Sequence, residues 1–537
     1  MKRLYVWILV LLMTAALAAC GGQSQPQAGG GEPAGSTAES GAPPASADEP
    51  DGTPVDITVN FDNISLSGVD PQLSTSTNIT HLDMLFNGLF RINENTLVPE
   101  PDLAESYEIS DDGLTYTVKL KQGVQFHRGY GEMTSEDVAF SIMRAVTHEN
   151  SQYKPWFSVI DDVRIVDGYT VDIVLNQIYP DLPYILSDEL GGGLITSKKA
   201  HDELGDEGFA KTPVGTGPFV FDEAGWIPQQ ESVFKANPDY FGEKVAVNVR
   251  LTEVKDGSTV LLAYQNGEID FFLSSQLEIV TQAEQAGAVV DFQPAPIAYG
   301  LMFNGDFYPP FKDPKVREAI FYAIDRDTNR VAVFGDKMAR KAVGVIPDNM
   351  PGYTMEGIKE YEYDPELSKQ LLQEAGYENA LEFTAIIQNN PRNERLFTLI
   401  QQQFADVGIK MDIQAVSTSE YYAAEEERRV ACSYSSVTGL PNLYFNMVQN
   451  YLSGALRNYT DYSGVDDLIE AASKIPEGPE RNEIYAEVQR RFSEDRPYFL
   501  HHFVNVILVH SPELAGVYSK GANGGDVRFE KAYIMAD

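Results

Sequence analysis

Cysteine is nearly absent: 537 residues hold only Cys20 and Cys432. Once Cys20 is otherwise used, no intramolecular disulfide can form, so the fold must stand on its core alone. Histidine is scarce too, with seven residues, of which only His501 and His502 are adjacent. Adjacent residues of a strand point to opposite faces, so these two are not expected to share a metal. No HExxH, GxxxxGK[ST], GxSxG or CxxC occurs. Gly215-Thr216-Gly217 lacks the third glycine of a dinucleotide loop and runs into Pro218, which reads as a turn. Acidic pairs such as Asp111-Asp112 and Asp466-Asp467 reflect composition rather than catalysis. No catalytic residue, metal ligand or cofactor is therefore expected, and the chain reads as a non-enzyme. Positive charge is short as well: 40 Lys and Arg face 79 Asp and Glu, a net charge of −39. That excludes nucleic acid and anionic lipid as general electrostatic partners. It reads first as a solvated acidic surface, with a preference for cationic ligands as the alternative.

The amino terminus carries an address. Lys2 and Arg3 precede an apolar stretch, Tyr5 to Leu17, broken only by Thr14. It is too short for a comfortable membrane span and reads as a signal peptide over residues 1–19. Leu17-Ala18-Ala19-Cys20-Gly21 resembles the bacterial lipobox, which implies cleavage before Cys20 and lipid attachment to its sulfur. Several acyl chains, at about 0.8 kcal/mol per buried CH₂, would hold the protein on the extracytoplasmic face of the cell membrane. Residues 20–53 are rich in Gly, Ala, Pro, Ser, Gln and Glu and read as a lipidated flexible tether. About 480 residues remain, enough for several lobes.

From Pro54 the pattern is mixed α/β. Ile57, Val59 and Phe61 alternate as in a strand. Tyr107 and Ile109, the turn Asp111-Asp112-Gly113, and Leu114 to Leu120 read as a hairpin. Thr134 and Asp137 make a capping-box variant ahead of Val138, Ile142 and Val146. Asp313-Pro314 predicts an N-cap and first helical residue, followed by an apolar stripe over Val316, Ala319, Ile320, Ala323 and Ile324. Asp364-Pro365 repeats the device with Leu367 and Leu371 inward and Gly376 as the stop. Leu381–Ile387, a helix over Leu396–Val407 and Ile409–Ile413 read as a β-α-β unit.

Several blocks in fixed order resemble a known family. They include Leu103-Ala104-Glu105-Ser106-Tyr107 through Gly123-Val124-Gln125-Phe126-His127, then Thr134 to Val138, Thr216-Gly217-Pro218-Phe219 and Asn237-Pro238-Asp239-Tyr240-Phe241. Asn266 to Asp270, Phe303-Asn304, the helix from Asp313 to Arg326, and Tyr363-Asp364-Pro365 through Tyr377 continue the series. Together they are similar to the large solute-binding proteins of dipeptide, oligopeptide and nickel ABC importers, family 5. The resemblance implies an α/β, periplasmic-binding-protein-like two-lobed clamp (type II, large three-domain variant) with a β-rich second lobe. It divides the chain into lobe I (54–98, 209–299 and 506–537), lobe II (99–208) and lobe III (300–505). It further implies a monomer that captures a peptide or peptide-like ligand between lobes and delivers it to an ABC permease and its ATPase. Open alternatives are an oligosaccharide or metal chelate in the same fold, or a surface receptor that senses a peptide without importing it.

The same comparison nominates a ligand wall. Peptide-binding members carry an aromatic residue and an amine-pairing Asp before a Pro-containing turn; aligned on Pro441, Tyr434 takes the aromatic position and Val437 that of the Asp. Ser435 and Thr438 belong to the same segment. Thr77 and Asn78, Tyr299 and Asn304, Tyr421 and His502 complete the candidates. A buried ammonium without a carboxylate loses several kcal/mol, so Val437 predicts that a free peptide N-terminus is not held in the family's usual way. His502 is expected to make binding pH-dependent, as an ordinary histidine titrates near 6.5.

Overall fold

The computed structural model describes residues 53–61, 69–73, 79–228, 230–437, 442–455, 457–458, 460, 462–520 and 526–535, all within one unit, Pro50–Asp537. The expected signal peptide, Cys20, Thr77, Asn78, Thr438 and Pro441 lie outside the described residues, as does the tether apart from Thr53.

β1 (Val55–Asn60) begins the main sheet, with Ile57 and Val59 buried as their alternation requires. The predicted hairpin is β2 (Ala104–Ile109) and β3 (Thr115–Leu120), antiparallel with Tyr107 opposite Val118 and Ile109 opposite Tyr116. Tyr116, Val118 and Leu120 supply its buried face, whereas Tyr107 and Ile109 are exposed. α1 (Ser135–Thr147) starts on the predicted capping box, the Thr134 amide donating to Asp137 Oδ2 at 3.0 Å. It packs on β4 (Ile160–Asp167) and β5 (Thr170–Leu175), which complete a four-stranded sheet in the order β2-β3-β5-β4.

The chain then returns to the main sheet through β6 (Phe219–Ile227), β7 (Glu231–Ala236), β8 (Val247–Thr252) and β9 (Phe271–Leu273). β10 (Val289–Phe303) follows, 15 residues long and so about 50 Å at 3.3 Å per residue. α2 (Pro314–Ala323) is the predicted Asp313-capped helix, and all five stripe residues are buried. α3 (Arg326–Phe334) and a short strand β11 (Ala339–Lys341) lead to α4 (Pro365–Glu374). Gly376, at φ 79°, ends α4 in the left-handed conformation expected of a glycine stop. The inward face of α4 departs from expectation: Ser368 and Leu372 are buried, and Leu367 and Leu371 only half-buried. α4 lies so close to α2 that a small residue is needed at the contact, and Ser368 Oγ donates to Ala319 O at 2.8 Å.

The predicted β-α-β unit is β12 (Glu382–Gln388), α5 (Pro391–Asp406) and β13 (Lys410–Val416), with the two strands parallel. β14 (Cys432–Ser436), α6 (Leu443–Asn450), α7 (Pro479–Asp495) and β15 (Phe499–His510) follow. The sheet has eleven strands in the order β6-β7-β8-β1-β9-β15-β10-β14-β12-β13, with β11 on β15. Two α/β halves are thus joined in one sheet by the antiparallel pair β10 and β15. Their register breaks in the middle: Pro294 pairs with Asn505 but Ala298 with Phe503, so β10 holds two extra residues in a bend.

Candidate functional site

Beyond that bend three strands meet. Tyr299 lies opposite Ser436 on one side and His502 on the other, and Leu301 opposite Tyr434. Alternation along antiparallel strands therefore puts Tyr299, Tyr434 and His502 on one face. Tyr299 stacks on His502 with centroids 5.7 Å apart and planes 11° apart, and lies 5.4 Å from Tyr434. Phe334 from α3 closes on His502 at 4.3 Å, and Phe397 from α5 meets Tyr434 edge-on at 5.3 Å. Tyr434 and His502 are buried and Tyr299 half-buried, so Tyr299 is the open end of the group.

A second register break shapes this face. Tyr299 pairs with His502 but Gly300 with Leu500, leaving His501 as the extra residue of a β-bulge. A bulge suspends the alternation, so both imidazoles turn to the same side and their Nδ1 atoms lie 3.0 Å apart. This corrects the expectation that the two rings face apart. It also corrects the expected titration. Burial, with Arg326 and Arg330 nearby, pushes His501 down to about 3, and burial, His501, Arg392 and Arg330 hold His502 well below its usual value. His502 thus stays neutral through the physiological range.

The remaining candidates are distributed otherwise. Ser435 and Val437 are buried on the opposite face from Tyr434, Ser435 across from Gly300 and the Val437 amide donating to Ala298 O at 2.9 Å. Tyr421 is 1% exposed, with its hydroxyl 2.7 Å from Tyr434 O and 2.8 Å from Glu425 Oε1. Asn304 is equally buried; its amide donates to Arg428 O, and its Oδ1 accepts from the amides of Asp306 and Phe307. Both residues hold backbone in place and present no polar atom to the aromatic face. The Asn-Gly-Asp order around Asn304 is the turn signal that could have shown this from sequence.

Two residues that sequence reasoning passed over belong to this region. Arg392, the second residue of α5 behind the Asn390 cap, sets its guanidinium over Phe334 at 5.8 Å. Arg457 donates to Ser436 O at 2.9 Å. Both stand near the carboxyl ends of β12 and β14, where open α/β sheets place ligand crevices.

A further contact joins distant segments. Arg481 of α7 grips Asp181 with two hydrogen bonds of 2.9 and 2.7 Å, and Asn442 Nδ2 donates to the same carboxylate at 2.7 Å. The two charged side chains are 0% and 1% exposed. Burial alone would depress the Arg481 guanidinium; the bonds and charge of Asp181 outweigh it and raise it instead. Beside it Phe445 packs on Tyr184 at 5.2 Å and on Tyr179 and Trp156 at 6.4 Å.

Among the described residues one cluster, Asp70, His201 and Asp206, could gather ligand atoms for a metal. Arg144 already bonds both Asp70 oxygens and Asp206, at 2.7–2.8 Å, so a cation fills it. A cavity of about 190 Å³ opens beside the bend, lined among others by Asn60, Lys255, Gln276 and Asn505, and none of the predicted wall residues reaches it. No described helix is long and apolar enough to cross a membrane.

Residues 98–458 match the model of bacterial extracellular solute-binding proteins, family 5 Middle. The di/tripeptide-binding protein 2 of Pseudomonas aeruginosa is 29% identical over 473 residues, covering 80% of this chain and 86% of that one. The dipeptide-binding protein of Escherichia coli is 27% identical over 468 residues, covering 81% and 86%. Among solved structures, the periplasmic binding protein DppA of Helicobacter pylori in complex with the peptide STSA superposes with a TM-score of 0.73. It is 27% identical, over 90% of this chain and 98% of that one.

Proposed function

The chain belongs to the bacterial extracellular solute-binding proteins of family 5, and on that premise we propose that it captures a peptide or peptide-like ligand for an ABC importer. The observation that carries the reading is the strand pair β10 and β15. It is shared by both halves of the sheet, it bends between them, and it bears Tyr299 and His502 just past the bend. Such a pair can act as a hinge while its far end forms a wall.

In this reading the hinge joins lobe I (54–98, 209–299, 506–537) to lobe III (300–505), with lobe II (99–208) beside them. A ligand held from both sides favours the closed state because only that state contacts it twice. The permease and its ATPase then take up the closed, loaded protein, and no chemistry is done on the ligand. The wall comprises Tyr299, Tyr434 and His502, with Ser435 and Val437 shaping the strand behind; Thr77, Asn78 and Thr438, outside the described residues, are further candidates for ligand contact. Lipid on Cys20 and a tether to residue 53 keep the monomer at the membrane.

Native mass spectrometry of the purified protein, repeated after unfolding and refolding, tests the reading. A co-purified ladder of residue masses lost on refolding supports it. A hexose ladder, or a chain that never carries or accepts a small molecule, refutes the peptide assignment.

A further inference from the structure

Away from the aromatic wall, one buried cluster holds more acid than base. The helix Ile79–Leu85 contributes Asp83, the segment after the helix Leu182–Ile185 contributes Asp188 and Glu189, and the carboxyl-terminal stretch contributes Lys520, Asp526 and Arg528. All six are buried. Arg528 ties three of the acids together, with Nη2 2.6 Å from Asp83 Oδ2 and 3.1 Å from Asp188 Oδ2, and Nε 3.0 Å from Asp526 Oδ1. Lys520 pairs with Asp188, whose other oxygen accepts from the Ile92 amide at 3.0 Å. Glu189 is left over: it is 1% exposed, and neither of its oxygens has a hydrogen-bond partner among the described residues.

Four carboxyl groups thus share two cations, and a buried charge without a counter-charge is strongly unfavourable. The stretch between Lys520 and Asp526, Gly-Ala-Asn-Gly-Gly, brings no charge. The oxygens of the cluster are not gathered round one point as metal ligands are; among the described residues Asp70, His201 and Asp206 have that arrangement. Protons are what remains to balance the cluster. A cavity of about 120 Å³ reaches Asp83, Asp188, Lys520 and Arg528 and gives protons a way in. Burial drives Asp83 and Glu189 well above the usual carboxylate range, with Asp526 and Asp188 adding to the rise and Arg528 and Lys520 opposing it. Against burial, Lys520 and Arg528 hold Asp188 low. The other titratable groups nearby are Tyr153 beside Asp83, Tyr184 beside Glu189, Asp102 beside Asp188 and Glu530 beside Arg528. His81, on the helix of Asp83, is pushed down to about 3 by burial and adds no charge.

From this count and these contacts we infer that the cluster is a proton-operated clasp: with Asp83 and Glu189 protonated it fastens the carboxyl-terminal segment and the Asp188–Glu189 segment to the helix Ile79–Leu85, and losing those protons loosens it. The backbone bonds beside it are long, the Val527 amide reaching Thr80 Oγ1 at 3.4 Å and the Lys520 amide Asp526 O at 3.3 Å. In the unfolded chain both carboxyls give up their protons near pH 4, whereas in the fold they keep them to higher pH. The contribution of the clasp is therefore complete below about pH 4 and is lost as pH rises above it, opposite to an ordinary salt bridge. A chain of an extracellular family meets the pH of its surroundings directly, and the clasp makes the fastening of this segment follow that pH.

The test uses the whole chain and its Glu189→Gln, Asp83→Asn and double variants, which keep the shape and a donor but cannot ionise. Chemical denaturation is followed from pH 5.5 to 9, where taking the difference between wild type and variant cancels the histidines. Each substitution is expected to gain on wild type as pH rises, by up to about 10-fold in the folding equilibrium constant per pH unit. Hydrogen exchange, compared at each pH, is expected to show the segments bearing Lys520 and Val527 losing protection before β10 and β15, in wild type and not in the double variant. A gap between wild type and variants that stays constant with pH overturns the inference. So does a carboxyl-terminal segment that loosens only together with the main sheet. If the variants do not fold, unfolding of the wild type at pH 7 in buffers of different ionisation enthalpy decides. Release of about one proton or more supports the clasp, and release of less overturns it.

Discussion

Replacing Asp181 by Asn is nearly isosteric but removes the carboxylate that makes the two short bonds to Arg481, leaving it Glu477 at 3.4 Å. In the arrangement described, the Arg481 side chain is wholly inaccessible, with Asp181 and Asn442 around its head and Tyr444 and Tyr485 stacked along its guanidinium. Breaking a buried pair by removing one partner costs about 3–5 kcal/mol, because the other charge stays desolvated. In the lobe assignment proposed above, Asp181 belongs to lobe II and Arg481 to lobe III. Parting the lobes would return Arg481 to water, so the cost is expected to appear as opening rather than unfolding. At 1.4 kcal/mol per decade, the closed fraction relative to the open one falls by about two to three and a half decades. Small-angle scattering and distance measurements between labels at exposed Gln152 and Glu480 read this directly, with a larger mean distance in D181N. The triple replacement D181L, R481M and E477Q leaves none of the three charges to hydrate and is expected to restore the closed distance. Unchanged distances and an unchanged melting curve in D181N would refute the reasoning, since the pair would then carry no closing energy.

Other outcomes follow from the same geometry. His502, depressed in the fold and near 6.5 when unfolded, destabilises the protein as pH falls below about 6.5, by about 1.4 kcal/mol per unit. Denaturation of wild type and H502Q between pH 4.5 and 8 should show that difference on the acid side only. Ligand affinity should stay flat from pH 5.5 to 8, and a step near 6.5 in calorimetry would contradict the neutral assignment. Gly300→Ala drives a Cβ into Phe499 O and should cost about 2–4 kcal/mol in chemical denaturation, with loss of the Tyr299–His502 stack. N-acetylating a bound peptide should leave its affinity within a few-fold; a large fall would mean that another acid has replaced the one absent at Val437.

Much of the fold was legible because it is locally determined. Asp313-Pro314, Asp364-Pro365 and Gly376 satisfy or end a helix with their own atoms, and the Asp111-Asp112-Gly113 turn fixes its hairpin register within a few residues. What failed depends on partners elsewhere in the chain. The inward face of α4 is chosen by how closely α2 approaches, which moves Ser368 to the contact. The bulge at His501 is an insertion into one strand relative to another, and a period-two pattern read along one strand cannot reveal it. Asp181 and Arg481 are 300 residues apart. The site was half legible: resemblance led to Tyr299, Tyr434 and His502, which do meet, but also to Asn304 and Tyr421, whose polar atoms serve the backbone. Arg392 carries no motif, and its place over the Phe334 ring is set by tertiary packing, which only three dimensions reveal.

The bend between Pro294 and Ala298 sets a rule of parity. Side chains alternate along a strand, so the number of residues spanning the bend decides which face Tyr299 occupies. Losing one residue from Ala295 to Ile297 would turn Tyr299 away from His502 while leaving every hydrogen-bonded neighbour before the bend in place. Losing two would restore the face but straighten the strand. Relatives of this chain can therefore vary the composition of the bend freely, whereas changes in its length can be accepted only in even steps, and then at the expense of the angle between the halves.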